Sequence, residues 1–311
     1  MAQDPLSLQH LLTQLGEAFQ AAGIATPEAD AELLAGHVLG ESRGRVQALA
    51  IMGRTLSRAD ADRLLELGED RASRVPLQHL TGRAPFRQLE LRVGPGVFVP
   101  RPETEVIAQL AIDELASVPD PIALDLCTGS GAIALAMANE VPAARVWAVE
   151  KSPDAHAWAG MNVDVWGDDR VTLLLGDVTD LDAAGLAAAR LGGGNALQQA
   201  IAPLAGRIAV LASNPPYIPA AAVPVDPEVR DHDPELALYS GDDGLDLIRI
   251  LSRIGLNLLT PGGMLVLEHT EEQGSAIRRI LERDGWHAAR TLPDLTGRER
   301  ATTARRAAES E

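Results

Sequence analysis

The 311-residue sequence has a single cysteine, Cys127, which excludes an intramolecular disulfide and fits a reducing, cytoplasmic setting. It is also short of basic residues: 27 Lys and Arg face 44 Asp and Glu, for a formal net charge of −17. A general nucleic-acid binder needs a basic footprint to neutralise phosphates, so stable nucleic-acid binding is not expected. The imbalance suits a cationic ligand or a basic partner surface. No hydrophobic run approaches the length that crosses a membrane. The first twenty residues, "MAQDPLSLQHLLTQLGEAFQ", lack the basic and apolar regions of a targeting signal. No Cys/His cluster has the spacing of a metal site, and no metal is expected.

The residues that are present divide the chain into three textures. Residues 1–75 read as a small domain of amphipathic helices. Leu8, Leu11, Leu12, Leu15 and Phe19 share one face of the first, which stops at Gly23. Thr26 and Pro27 stand as cap and first residue of the second, and Ser57 and Asp60 have capping-box spacing in another. Residues 76–102 form a linker whose short alternating segments, punctuated by Gly and Pro, suggest a hairpin. A helix then opens near Pro102, with Glu103 and Glu105 at the positive end of its dipole. Across 103–311 apolar strands alternate with helices, which implies βαβ units and a doubly wound, mostly parallel α/β sheet. The low-charge stretch 181–206 holds three adjacent glycines and suggests a helix followed by a flexible insertion.

Chemistry-bearing residues gather at the ends of these strands. In "LDLCTGSGAIALAMA" a strand runs into Gly129 and Gly131, and a helix follows at once. Gly-x-Gly permits a tight turn and a close backbone approach to a ligand. The next strand ends in Glu150, placed to accept hydrogen bonds from the ribose hydroxyls of a nucleoside, and the third ends near Asp177. Asp125, Gly129, Glu150, Asp177 and Asn214 all fall at or just past strand carboxyl ends, where open α/β sheets bind ligands. A dinucleotide or S-adenosylmethionine could use such an edge. Acidic strand ends suit a nucleoside and a sulfonium cation better than a second set of phosphates.

The fourth strand ends in "SNPPYIP", Asn214-Pro215-Pro216-Tyr217. Transfer of a methyl group to an amide or aromatic amine nitrogen is difficult because the lone pair is delocalised. An acceptor that holds both N–H protons can align that nitrogen with the methyl donor. The Asn214 side-chain oxygen and the Pro215 carbonyl can supply such acceptors. The prolines fix the backbone without adding N–H donors, and Tyr217 offers a flat wall. Methylation of a planar nitrogen is the chemistry that this stretch implies.

The chain resembles the protein-(glutamine-N5) methyltransferases of peptide chain release factors, the PrmC/HemK family. The likeness is carried by "FVPRPETE" (98–105), the glycine loop, "VEKSPDA", "SNPPYIP", "EVRDHDPELALYSGDDGLDLIRIL", "LTPGGMLVLEH" and "DLTGRERATTARR". Asn-Pro-Pro-Tyr by itself is shared with DNA and RNA amino-methyltransferases, which stand as the alternative; its combination with Arg-Pro-Glu-Thr-Glu is specific. A third reading is a release-factor-associated binding protein with a degenerate donor site. The resemblance implies a class I S-adenosylmethionine-dependent methyltransferase fold behind a helical domain that contacts the release factor, and S-adenosylhomocysteine as product. It implies donor contacts at Asp125, Cys127, Thr128, Gly129, Ser130 and Gly131, with Glu150 on the ribose, Asp177 and Val178 near the adenine, and Asn214. It implies that Asn214, Pro215, Pro216 and Tyr217 hold the glutamine of the Gly-Gly-Gln loop, with Phe98, Arg101 and Glu103 beside the substrate. The family usually has Gly at the place of Cys127 and often an aromatic residue at that of Val178, and 181–206 is longer than usual.

Overall fold

The computed structural model describes residues 6–308. The chain runs α1 (Leu8–Ala21), α2 (Pro27–Leu39), α3 (Arg43–Ile51), α4 (Arg58–Ala72), α5 (Leu77–Thr81), β1 (Arg83–Phe86), β2 (Leu89–Arg92) and α6 (Glu105–Leu115). Next come β3 (Ile122–Leu126), α7 (Ala132–Glu140), β4 (Arg145–Glu150), α8 (Pro153–Trp166), β5 (Val171–Leu175), α9 (Ala183–Arg190), α10 (Ala196–Ile201) and β6 (Ile208–Ser213). The last part holds α11 (Pro227–His232), α12 (Glu235–Leu238), α13 (Asp246–Leu258), β7 (Leu259–Glu268), α14 (Gly274–Asp284), β8 (His287–Pro293) and β9 (Glu299–Arg305). No described helix is long and apolar enough to cross a membrane.

Two compact units result. The first runs through Arg83 and also takes in Pro224–His232, a segment whose neighbours on both sides belong to the second. Its core gathers Leu8, Leu11, Leu15 and Phe19 of α1 with Leu34, Val46 and Leu64; Leu12 is only partly buried. Ser57 caps α4 by accepting the Asp60 N–H, as its spacing implies. Thr26 does not cap α2: its side chain accepts no backbone N–H, and its hydroxyl donates to the Asp30 carboxylate at 2.9 Å. Asp30 in turn meets the buried Arg71, whose guanidinium also reaches Glu228 of α11, both at 2.8 Å.

The second unit is built on a seven-stranded sheet of order β5-β4-β3-β6-β7-β9-β8. Pairing is parallel from β5 through β7 and antiparallel for β9 with β7 and β8. This is the doubly wound sheet expected, and the order reverses on either side of β3, the switch point where such sheets bind ligands. β3 and β6 are buried along their whole lengths, so both read as unbroken apolar runs. Alternation along β3 sends Ala123 into one apolar layer and Leu124 and Leu126 into the other. Between 181 and 206 the structure forms two helices, α9 and α10, where the sequence suggested one. Asn195 and Gln198 make a reciprocal capping box that starts α10, and Leu186, Leu197 and Ile201 anchor the pair in the core.

Candidate active site

The glycine loop turns from β3 into α7 through three left-handed residues, Cys127 (φ 65°), Gly129 (φ 57°) and Gly131 (φ 88°). A Cβ on Gly129 would meet nothing within 4 Å, so its backbone borders open space. Cys127 holds the same conformation with a side chain, at a cost of about 1–2 kcal/mol. A glycine at this place would not carry that cost. Its half-buried thiol lies against the core, and burial raises its pKa.

Asp125 faces the start of α7. Its Oδ2 accepts the Thr128 hydroxyl at 2.6 Å and the Ala134 N–H at 3.1 Å. Its Oδ1 is buried without a hydrogen-bond partner. Burial pushes the carboxyl pKa up to about 7; these two hydrogen bonds oppose that shift and the nearby Glu150 charge adds to it. Glu150 closes the loop from β4: Oε2 accepts the Gly129 N–H at 2.8 Å, and Oε1 accepts those of Lys151 and Ser152 at 2.9 and 2.8 Å. Burial raises the Glu150 pKa against those three donors. Asp177 pairs with Lys151 Nζ at 2.8 Å and caps the turn after β5. Burial would raise its pKa, but Lys151 and Thr179 outweigh it and hold the carboxyl below the usual range. Ser130 is buried and its carbonyl accepts from Asn162, while Val178 packs into the core layer.

The acceptor side forms where β6 ends. Leu126 is paired with Ser213 and Ser213 with Leu267, which brings Asn214 next to Glu268, the last residue of β7. The Asn214 amide lies 3.3 Å from the Thr104 hydroxyl, and Pro215 is buried. The Tyr217 hydroxyl donates to Glu268 Oε1 at 3.4 Å; burial raises its pKa and the carboxyl charge adds to that. Glu268 itself is buried, and burial pushes its pKa up to about 7. Thr104, Arg300 and Tyr217 oppose that rise, and the Glu103 charge reinforces it. The loop is seated from below: Gln273 Nε2 donates to the Tyr217 carbonyl at 2.9 Å, and a Cβ on Gly244 would approach that oxygen to 2.1 Å. Arg101 stacks over Phe98 at 5.1 Å and pairs with Asp233 at 2.7 Å.

The residues singled out in the sequence therefore fall into three groups. Hydrogen bonds tie Asp125, Thr128, Gly129 and Glu150 into one cradle. Asn214 and Tyr217 meet around Thr104 and Glu268. Phe98 and Arg101 form a separate pair, whose charge still reaches Tyr217. Sequence reasoning passed over Thr104, Gly244, Glu268 and Gln273 as site residues. For Glu268 a signal existed, an acid ending the buried apolar run Met264–Leu267; Gly244 and Gln273 lie in loops whose partners only the fold supplies.

Residues 10–82 match the family model described as the PrmC N-terminal domain. The chain is 47% identical over 305 residues to the release factor glutamine methyltransferase of Streptomyces coelicolor, covering 96% of this chain and 98% of that protein. It is 40% identical over 304 residues to the one of Deinococcus radiodurans, covering 97% and 99%. Among solved structures, a release factor-specific protein-(glutamine-N5) methyltransferase from Alicyclobacillus acidocaldarius aligns with a TM-score of 0.40 and 24% identity, over 70% of this chain and 99% of that one. With 40–47% identity to these curated relatives over nearly the whole chain, the chain belongs to the release factor glutamine methyltransferase family.

Proposed function

We propose that this protein transfers a methyl group from S-adenosylmethionine to the side-chain amide nitrogen, N5, of the glutamine in the Gly-Gly-Gln loop of peptide chain release factors. The observation that carries this reading is the half-buried Asn214 amide at the lip of β6, next to the buried Pro215 and on a loop clamped by Gln273. When bound, S-adenosylmethionine supplies an electrophilic methyl group on its sulfonium. The donor cradle fits it: Asp125 offers an unpartnered buried oxygen, and Gly129 borders open space. A carboxylate has about four acceptor positions, and three on Glu150 are taken, which leaves room for one ribose hydroxyl with the loop undisturbed. Asp177 and Val178 mark the adenine end in this reading.

Asn214 Oδ1 and the Pro215 carbonyl accept the two N–H groups of the substrate amide and turn its nitrogen towards the methyl group. Tyr217 walls the amide plane, with Phe98, Arg101 and Glu103 beside it. We assign recognition of the release factor's body to the helical unit. A nucleic-acid amino group is the competing acceptor, and the net charge of −17 speaks against it. The test incubates the protein and labelled methyl donor with release factor, DNA, RNA, and a factor carrying Gln→Ala in its Gly-Gly-Gln loop. Label confined to the unaltered factor is expected; label on nucleic acid or on the Ala variant overturns the reading.

A further inference from the structure

We propose that Asn162 is a positioning residue for the methyl donor: it holds the glycine loop in shape and ties the β1–β2 hairpin to it. This rests on the reading of that loop as the cradle of S-adenosylmethionine. Asn162 lies on α8 and is buried. Its Oδ1 accepts the Arg92 N–H at 2.7 Å. Its Nδ2 donates to the Arg92 carbonyl at 3.0 Å and to the Ser130 carbonyl at 2.9 Å. A backbone N–H only donates and a carbonyl only accepts, so these partners admit one orientation of the amide and use both of its protons.

On the hairpin side, Asn162 belongs to a row. Among the described residues β2 pairs with β1 alone, which leaves its other edge without a strand. Trp158, Asn162 and Trp166 recur every four residues along α8 and so share one face. Trp158 Nε1 donates to the Pro95 carbonyl and Trp166 Nε1 to the Glu90 carbonyl, both at 3.2 Å. Four residues of helix rise about 6 Å, close to the roughly 6.6 Å between Glu90 and Arg92 along a strand, so the row keeps pace with the edge. A Cβ on Gly94 would come within 2.4 Å of the Trp158 ring, which shows how closely this segment lies on α8.

Of the three side chains in the row, Asn162 also reaches the glycine loop. Ser130 stands between Gly129 and Gly131, both left-handed, where a backbone has most freedom to turn. The peptide unit that joins Ser130 to Gly131 is held at both ends. Asn162 takes its carbonyl, and its N–H donates to the Thr128 carbonyl at 2.9 Å. Gly129 borders open space, and the donor reading places the ligand against this backbone. A loop fixed beforehand spares binding the cost of ordering it. Without the Nδ2 donation the unit can rotate between its glycines, and donor affinity falls.

The experiment measures donor Kd for the full chain by titration calorimetry with S-adenosylmethionine, together with melting temperature and kcat on release factor at saturating donor. Asn162→Asp keeps the shape and an acceptor for the Arg92 N–H but loses both donations. Asn162→Ser loses the reach to Ser130 and carries the same test if the buried carboxylate prevents folding. The folded variant should bind the donor about 10-fold more weakly, the worth of about one hydrogen bond, with kcat at saturating donor close to the wild type. Trp166→Phe deletes a bond of the same row that does not touch the loop, and should lower the melting temperature with donor Kd unchanged. Wild-type donor Kd in the Asn162 variant, or an equal weakening in Trp166→Phe, overturns the proposal. A wild-type chain that fails to bind S-adenosylmethionine would instead strike at the proposed function.

Discussion

Arg71 lies inside the helical unit at 4% exposure, with Nε on Asp30 and Nη2 on Glu228 at 2.8 Å and Nη1 donating to the Val75 carbonyl at 2.9 Å. Replacing Arg71 by Met keeps the apolar stem and removes the guanidinium. Glu228 retains Arg74 at 3.2 Å, so most of the loss falls on Asp30, which is buried and left with only the Thr26 hydroxyl. Removing one partner of a buried pair costs about 3–5 kcal/mol, because the other charge stays buried and uncompensated. The pair Arg58–Asp62 is the internal control. Its side chains are 80% and 57% exposed, and such a pair contributes about 0.3–0.5 kcal/mol. Urea denaturation should show this difference between Arg71→Met and Arg58→Ala, and hydrogen exchange in α2 and α4 should locate the loss in this unit. Adding Asp30→Leu to Arg71→Met should recover much of the loss, since an apolar pair of similar volume is near neutral. A cost below about 1 kcal/mol for Arg71→Met would refute the view that burial governs this pair.

Other changes have definite outcomes. Asn214→Ala should reduce methyl transfer by about 100-fold or more while donor binding, followed by titration calorimetry, stays intact. Gly244→Ala sets a Cβ 2.1 Å from the Tyr217 carbonyl at a φ of 75°; it should lower stability by about 1–3 kcal/mol and slow transfer by displacing the acceptor loop. Cys127→Gly relieves a left-handed side-chain residue and should raise stability by up to about 1 kcal/mol, whereas Cys127→Val should lower it. Burial raises the Glu268 pKa from 4.5 to about 7. Between those values the folded chain keeps a proton that the unfolded chain has released, so stability on this group's account declines as pH rises through that window. Denaturation of Glu268→Gln at either end of the window should show a smaller slope, with a remainder from Asp125, shifted in the same direction.

What the sequence disclosed was mostly local. Gly129 and Gly131 announce a turn because a left-handed backbone needs them, and Glu150 and Asn214 end strands whose apolar runs are unmistakable. The helical start at Pro102 and the Ser57 cap follow from fixed offsets of a few residues. What stayed hidden depends on partners far apart in the chain. Thr104 meets Asn214 across 110 positions, and Tyr217 meets Glu268 across 51. No periodicity encodes such pairs; strand register creates them. Thr26 shows the converse. Its place before Pro27 marks a cap, yet its side chain accepts no backbone N–H and its hydroxyl donates instead to the carboxylate four residues on. In 181–206 the glycines suggest flexibility, but the reciprocal bonds of Asn195 and Gln198 start a second helix.

The helical unit is finished by Pro224–His232, and this gives its assembly an order in time. During synthesis the helices through Arg83 leave the ribosome first, and the completing segment follows about 140 residues later. At about 5–20 residues per second the wait is roughly 7–28 s, long compared with the formation of a helix. Through that interval Arg71 can reach Asp30 but not Glu228, and Arg74 has neither Asp226 nor Glu228. The part made first thus waits for more than two thirds of the chain before it can reach its final pairing. A fragment that stops at Arg83 would be held in that waiting state, with two arginines and none of the acids of the segment that completes it.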